Sequence, residues 1–180
     1  MNADNPQNNL THHHVLTADV RAAIDHWLQR YPAEQKRSAV IQALHFTQDA
    51  NGGWLTVELM NAVADYLQMP HIAVYEVASF YTLFNLRPTG RHIINVCTNI
   101  SCMLNGSAKI VAHLEKKLQI NVNETTPDGL FTLREVECLA ACAGAPMFQI
   151  DKTYYENLTA EKVDTILSEL TLPGESLHGE

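Results

Sequence analysis

The chain reads as an α+β protein in which a small helical bundle precedes a mixed α/β domain. Two observations predict this. Up to about residue 85, apolar residues recur at helical spacing in four segments joined by short connections, the pattern of a bundle. After Asn85–Arg91 (NLRPTGR), whose proline and glycine mark a linker, short apolar runs alternate with helical segments and turn signals. The expected organisation is a flexible tail over 1–15, a bundle over 16–86, an α/β domain over 87–172 and a frayed end over 173–180.

At 180 residues, 46% hydrophobic and 18% charged, the chain can bury one or two real cores. A net charge of −8 argues against nucleic acid, whose phosphates demand a basic face, and suits a basic protein partner. No run of eighteen apolar residues occurs, so direct membrane insertion is not expected. The start, MNADNPQNNL, lacks the apolar core of a secretory signal. The expected location is therefore cytoplasmic, with any membrane reached only through partners.

In order, the tail carries His12, His13 and His14, which can chelate a metal but are read as solvated. Thr17 is placed to cap a first helix with Val20, Ile24, Trp27, Leu28 and Tyr31 on its apolar face. Pro32 is placed at the first position of a second helix, running through Val40, Ala43 and Leu44 until Asn51-Gly52-Gly53 stops it. Thr56 starts a third, with Leu59, Val63, Tyr66 and Leu67, ending before Pro70. The fourth is expected over His71–Asn85, burying Val74, Val77, Ala78 and Tyr81. Phe80, Tyr81 and Phe84 suggest an aromatic electron bridge, but helical spacing favours core packing, with docking onto a neighbour as a second role.

Beyond the linker, a strand near His92–Val96 leads to Cys97, and Ser107 is placed to cap a helix through Ile110, Val111, Leu114 and Leu118. Val122 is read in a short edge strand, Pro127-Asp128-Gly129 as a turn and Phe131–Val136 as the strand leading to Cys138. Met147–Ile150 and Thr153–Tyr155 flank Asp151-Lys152 as a hairpin, and Thr159 caps a last helix bearing Val163, Ile166, Leu167 and Leu170.

The chain has four cysteines, paired as C-x4-C (Cys97, Cys102) and C-x3-C (Cys138, Cys142). Each pair begins where a strand-like run ends, so two loops can converge at one sheet edge. Disulfides suit oxidising compartments, which the polar start does not suggest. Structural zinc favours tighter pairs, most often with two intervening residues. An iron–sulfur cluster is wider than one ion and takes thiolates, so unequal, wider spacings fit it better. Spacing alone leaves cluster, zinc and unliganded core cysteines open, in that order.

The letters around these pairs narrow the choice. VASFYTLFNLRPTGRHIINVCTNISC and ETTPDGLFTLREVECLAACAGAPMFQIDKTYYENLT closely resemble the small 2Fe–2S subunit of NADH:quinone oxidoreductase, respiratory complex I (the subunit designated E in bacteria). The resemblance runs from about Leu16 to Leu170. It implies a thioredoxin-like domain in which Cys97, Cys102, Cys138 and Cys142 ligate one 2Fe–2S cluster. It also implies a non-catalytic electron-transfer role beside a flavoprotein subunit carrying FMN and the NADH site, among further peripheral-arm subunits. Two rivals stand: the equivalent diaphorase subunit of a soluble NAD-linked hydrogenase or formate dehydrogenase, and a zinc-stapled adaptor with no redox role. One departure is visible, because the family usually reads C-L-G-A-C and Ala140 replaces that glycine.

Further expectations concern the loops. Thr98, Asn99, Ile100 and Ser101 offer consecutive N–H groups toward sulfur, and the small residues after Cys138 let a second backbone wrap closely. Ser101 either bonds a cluster sulfur or caps the turn. Glu135 and Glu137 are read as a solvated strand face, Ala140 as having negative φ, and Ala145-Pro146 as a candidate cis bond by analogy with thioredoxin-like folds. No G-x-G-x-x-G, P-loop or C-x-x-C occurs, so nucleotide binding and dithiol exchange are not expected.

Overall fold

The computed structural model describes residues 15–171. His12–His14, all but the last residue of the expected N-terminal tail, and 173–180 lie outside the described residues. The chain divides into two compact units, Met1–Pro88 and Thr89–Glu180, the division falling within the proline–glycine stretch.

In the first unit, α1 (Ala18–Leu28) begins where the Thr17 hydroxyl accepts the Val20 N–H at 3.3 Å. It buries Val20 and Ile24. Tyr31 lies beyond its end, in a turn where the Arg30 guanidinium stacks 3.9 Å from the Trp27 ring centroid. The second helix is split. A 3₁₀ segment, Ala33–Ala39, is kinked at Gln35 and precedes α2 (Val40–Ala50). Pro32 sits before the first helical residue, with extended ψ of 148°, instead of inside the helix. The stretch AEQKRSA buries only Ala39, so no apolar face holds it to α-helical geometry. Gly52 and Gly53, at φ 69° and 91°, then end α2 as the Gly53 N–H folds back onto the Gln48 carbonyl.

α3 (Val57–Leu67) starts at Thr56, whose hydroxyl accepts the Leu59 N–H at 3.0 Å. α4 covers His71–Phe80 only, five residues short of the expected end. The helix ends because Tyr81, next on the face that buries Val74 and Ala78, turns extended at φ −88° and ψ 118°. A polar network holds the chain elsewhere. The Asn85 N–H donates to Gln48 Oε1 at 2.7 Å, Asn85 Nδ2 donates to the Gly53 carbonyl at 2.6 Å, and Gln48 Nε2 donates to the Leu83 carbonyl at 3.1 Å. Phe84 enters the core, with Ile24, Leu44, Leu55 and Val63. The expectation that Phe80 and Tyr81 also pack inward fails, since Phe80 is 77% exposed and Tyr81 39%.

The second unit is built on a four-stranded sheet of order β2-β1-β3-β4, from β1 (His92–Cys97), β2 (Phe131–Val136), β3 (Phe148–Ile150) and β4 (Thr153–Tyr155). β1 and β2 run parallel, Cys97 opposite Val136; β3 is antiparallel to β1, Val96 opposite Phe148. α5 (Ile100–Leu104) and α6 (Ser107–Leu118) connect β1 toward β2, and α7 (Ala160–Thr171) closes the unit. Ile94, Leu114, Leu133, Phe148 and Val163 form its fully buried centre.

Three local expectations change. Ser107 is buried at the first position of α6, and the cap is Gly106, whose φ of 92° turns the chain sharply out of α5. Val122 is in no strand. Left-handed Asn123 (φ 69°) interrupts extension, leaving an isolated bridge, Thr125 to Thr132, along the outer side of β2. Asn85 and Gly90, expected in the linker, are both buried, and a Cβ at Gly90 would lie 2.7 Å from the Phe131 carbonyl carbon.

Candidate functional site

Parallel pairing of β1 and β2 brings their C-terminal ends to one sheet edge, and antiparallel β3 starts there. Cys97 is the last residue of β1, and Cys138 follows β2 by two residues. Asn99 caps α5 through its side chain, accepting the Ile100 N–H at 2.7 Å, and so places Cys102 on that short helix. Cys142 opens a 3₁₀ turn, Cys142–Gly144. All four cysteines, with Asn99, Ser101, Ala140, Ala141 and Met147, line one cavity of about 80 Å³.

The site is asymmetric. Cys97 and Cys102 are buried with Met147 against Leu139, Ala141 and Ala145, whereas Cys138 and Cys142 are exposed. None of the four is in a disulfide. Burial alone would push the Cys97 thiol up. The backbone N–H groups of Asn99 and Leu139, with the Cys102 thiol, outweigh burial and hold it below the ordinary thiol range. Cys102 is pushed up by burial first and by neighbouring Cys97 second, against the Met147 N–H. Leu139 belongs to the second cysteine loop, so its N–H joins the two loops at one sulfur. The Ala140 N–H donates to Cys138 Sγ at 3.3 Å.

The expected row of N–H donors in the first loop is thinner than the letters suggest. The Thr98 N–H donates to the Val136 carbonyl at 3.1 Å, extending the sheet, and the Ile100 N–H is taken by the Asn99 cap. Asn99 of that row is turned to Cys97. Ser101 does not cap α5; it is half-buried and lines the cavity. Glu135 and Glu137 are exposed, as a solvated strand face should be. The Ala145-Pro146 bond is cis.

The expectation of negative φ at Ala140 is wrong. Its φ is 60°, in the left-handed region. That turn redirects the chain beyond Ala140 toward Cys142, and alanine is accommodated there despite its Cβ. Sequence reasoning also missed Met147, which lines the cavity, offers its N–H to Cys102 and accepts the Cys97 N–H on its carbonyl at 3.2 Å. Its place directly after Pro146 was the available signal.

Residues 24–171 match the thioredoxin-like 2Fe-2S ferredoxin family. The chain belongs to that family. In Rickettsia felis, the NADH-quinone oxidoreductase subunit designated E is 48% identical over 142 residues, covering 79% of this chain and 85% of that one. The mitochondrial NADH dehydrogenase [ubiquinone] flavoprotein 2 of Dictyostelium discoideum is 41% identical over 155 residues, covering 86% of this chain and 63% of that protein. A solved NAD+-reducing NiFe-hydrogenase shares the fold, with a TM-score of 0.64 and 20% identity over 73% of this chain and 22% of its own.

The donor set fits the group that names this ferredoxin family. Four thiols on one cavity would, once deprotonated, offer soft anionic donors, and backbone N–H groups from both loops are placed to compensate charge on sulfur. Among the described residues, no three His, Cys, Asp or Glu side chains are arranged to hold a single metal ion.

Proposed function

We propose that this chain is a one-electron carrier of the NADH-oxidising module of NADH-quinone oxidoreductase, with Cys97, Cys102, Cys138 and Cys142 holding one 2Fe-2S cluster. The observation that carries the reading is the convergence of both cysteine pairs on one cavity, tied by the Leu139 N–H from the second loop to Cys97 in the first. When bound, the cluster supplies reversible one-electron chemistry and no bond chemistry. The chain's own residues do the rest. Cys97, Cys102, Leu139 and Met147 form a buried side that excludes water, which favours a less charged centre. The N–H groups of Asn99, Leu139, Ala140 and Met147 stabilise electron-rich sulfur and so ease reduction.

Cys138 and Cys142 lie on the exposed side, where a partner can approach closely. Ile100, Met103 and Leu104, exposed at 66%, 56% and 76%, put an apolar collar beside Cys102. Such a collar suits a protein partner better than water. That partner is a flavoprotein subunit carrying FMN and the NADH site, because flavin converts a hydride into single electrons and this sequence has no nucleotide fingerprint. Among the described residues no helix is long and apolar enough to cross a membrane. In this reading the chain sits on the cytoplasmic side, held to the membrane by the other peripheral-arm subunits. A zinc staple is the weaker reading, because the cysteines share a cavity without forming a single-ion set.

Anaerobically purified protein should contain roughly two irons and two labile sulfides per chain, as one 2Fe-2S cluster requires. Without flavoprotein, NADH should leave its visible spectrum unchanged; with it, the cluster should bleach. Zinc in place of iron would refute the cofactor, and bleaching by NADH alone would refute the division of labour.

A further inference from the structure

The second cysteine loop is covered from outside by one carboxylate. Gly144, two residues past Cys142 in the same 3₁₀ turn, is buried. The space a side chain would need there is filled by Glu156. A Cβ on Gly144 would lie 2.5 Å from the Glu156 Cδ and 2.6 Å from its Cβ, and Oε2 also falls in that space. Glycine is therefore required at 144 so that Glu156 can lie along the loop.

Backbone bonds fix this arrangement. The Asn157 N–H donates to the Gly144 carbonyl at 2.7 Å and the Leu158 N–H to the Pro146 carbonyl at 3.0 Å. The segment following β4 is thus fastened to the cysteine loop immediately beyond Glu156, which sets the Glu156 backbone beside it. The Lys162 ammonium bonds the Glu156 main-chain carbonyl at 2.5 Å. Gly144 and Cys142 are two residues apart, at most about 7 Å between Cα atoms. The Glu156 carboxylate, placed against Gly144, is therefore on the order of one screening length, about 8 Å at physiological ionic strength, from the Cys142 backbone.

A fixed negative charge so near a redox centre opposes the arrival of an electron. We propose that Glu156 is a positioning residue that holds the reduction potential of the bound cluster down, acting through the field it places on the Cys142–Gly144 turn. The inference rests on the reading that the four cysteines ligate a 2Fe-2S cluster. Glu156 is solvent-exposed, as Glu135 and Glu137 are, and differs from them in occupying the side-chain space of a glycine in the cysteine loop.

The test is a redox titration of the full-length, cluster-loaded chain, followed by EPR, for wild type, Glu156→Gln and Glu156→Lys at low and high salt. The midpoint potential should rise in Glu156→Gln and rise further in Glu156→Lys, with both differences shrinking at high salt and the visible spectrum retained. A role in packing alone would change stability without scaling with charge. An intact cluster whose midpoint is unmoved in Glu156→Gln, or no higher in Glu156→Lys, overturns the role of Glu156 and leaves the ligand reading standing. A wild-type chain that takes up no 2Fe-2S cluster overturns the ligand reading, and the proposal with it.

Discussion

Replacing Ala140 by glycine should stabilise the second unit. Ala140 has φ of 60°, where an L-residue's Cβ crowds the following carbonyl at a cost of about 1–2 kcal/mol. Glycine removes that cost but adds unfolded-state freedom worth about 0.4–1 kcal/mol. The balance is a gain on the order of 0.5–1 kcal/mol. The side chain lost is a single methyl on the exposed wall of the cavity, so no cavity penalty of core size offsets it. For a unit of this length, 1 kcal/mol corresponds to about 4–8 °C in Tm, so Ala140→Gly should raise the midpoint by roughly 2–8 °C.

The assay is urea unfolding of the reduced, metal-free protein followed by circular dichroism. The midpoint concentration should rise while the slope is unchanged. Ala140→Val serves as the opposite perturbation, since a β-branched residue is poorly tolerated at positive φ and should destabilise. If glycine lowered the midpoint, or valine left it unmoved, the left-handed conformation and the role assigned to this turn would both be refuted.

Replacing any one of Cys97, Cys102, Cys138 or Cys142 by serine should abolish or strongly destabilise the cluster, because a hard oxygen replaces a soft thiolate; an unaltered EPR signal of the reduced protein would remove that residue from the ligand set. Asn85→Ala removes the Nδ2 donor to the Gly53 carbonyl while the main-chain N–H to Gln48 stays, and should destabilise the helical unit by about 1–3 kcal/mol in denaturant unfolding. The hydrogen bond from His113 and then the Lys117 ammonium hold the Asp164 carboxyl below its usual range. A depressed carboxyl contributes stability above its unfolded pKa of about 3.9 that is lost as pH falls through the folded value. Asp164→Asn should therefore lower stability at neutral pH and flatten its decline below about pH 4, measured as urea midpoints across pH.

What was legible in the sequence was whatever local order controls. β2 and β4 fall on the expected residues, because turn residues bound each run: Gly129 at φ 69° before β2 and Asp151 at φ 53° before β4. The caps at Thr17, Thr56 and Thr159 likewise depend on atoms three residues away. Long-range partners were not legible. α4 stops early because Gln48 and Gly53, more than thirty residues back, bind Leu83 and Asn85. Phe80 has helical spacing, but spacing cannot say where the helix runs out of core, and the ring ends outside. At the site, the place of each cysteine pair at the end of a strand-like run indicated that two loops could meet. That the Leu139 N–H crosses between them needed the sheet.

The unequal spacing of the two pairs has a physical reason, and it explains Ala140. In both pairs the residue two beyond the first cysteine turns its N–H back to that sulfur: Asn99 to Cys97 and Ala140 to Cys138. The C-x4-C loop does this without strain. Asn99 keeps φ at −70°, and the next residue starts a helical turn that carries Cys102. The C-x3-C loop is one residue shorter and must reverse within the same number of steps. It does so by a left-handed residue followed by Ala141 at φ −102° and ψ 49°, which lets the chain reverse into the 3₁₀ turn that opens at Cys142. A glycine would adopt the first of these conformations without penalty, which is why one is expected there. The N–H is supplied by the backbone whichever residue stands at 140, so the substitution bears on the stability of the loop and leaves its donor to Cys138 in place.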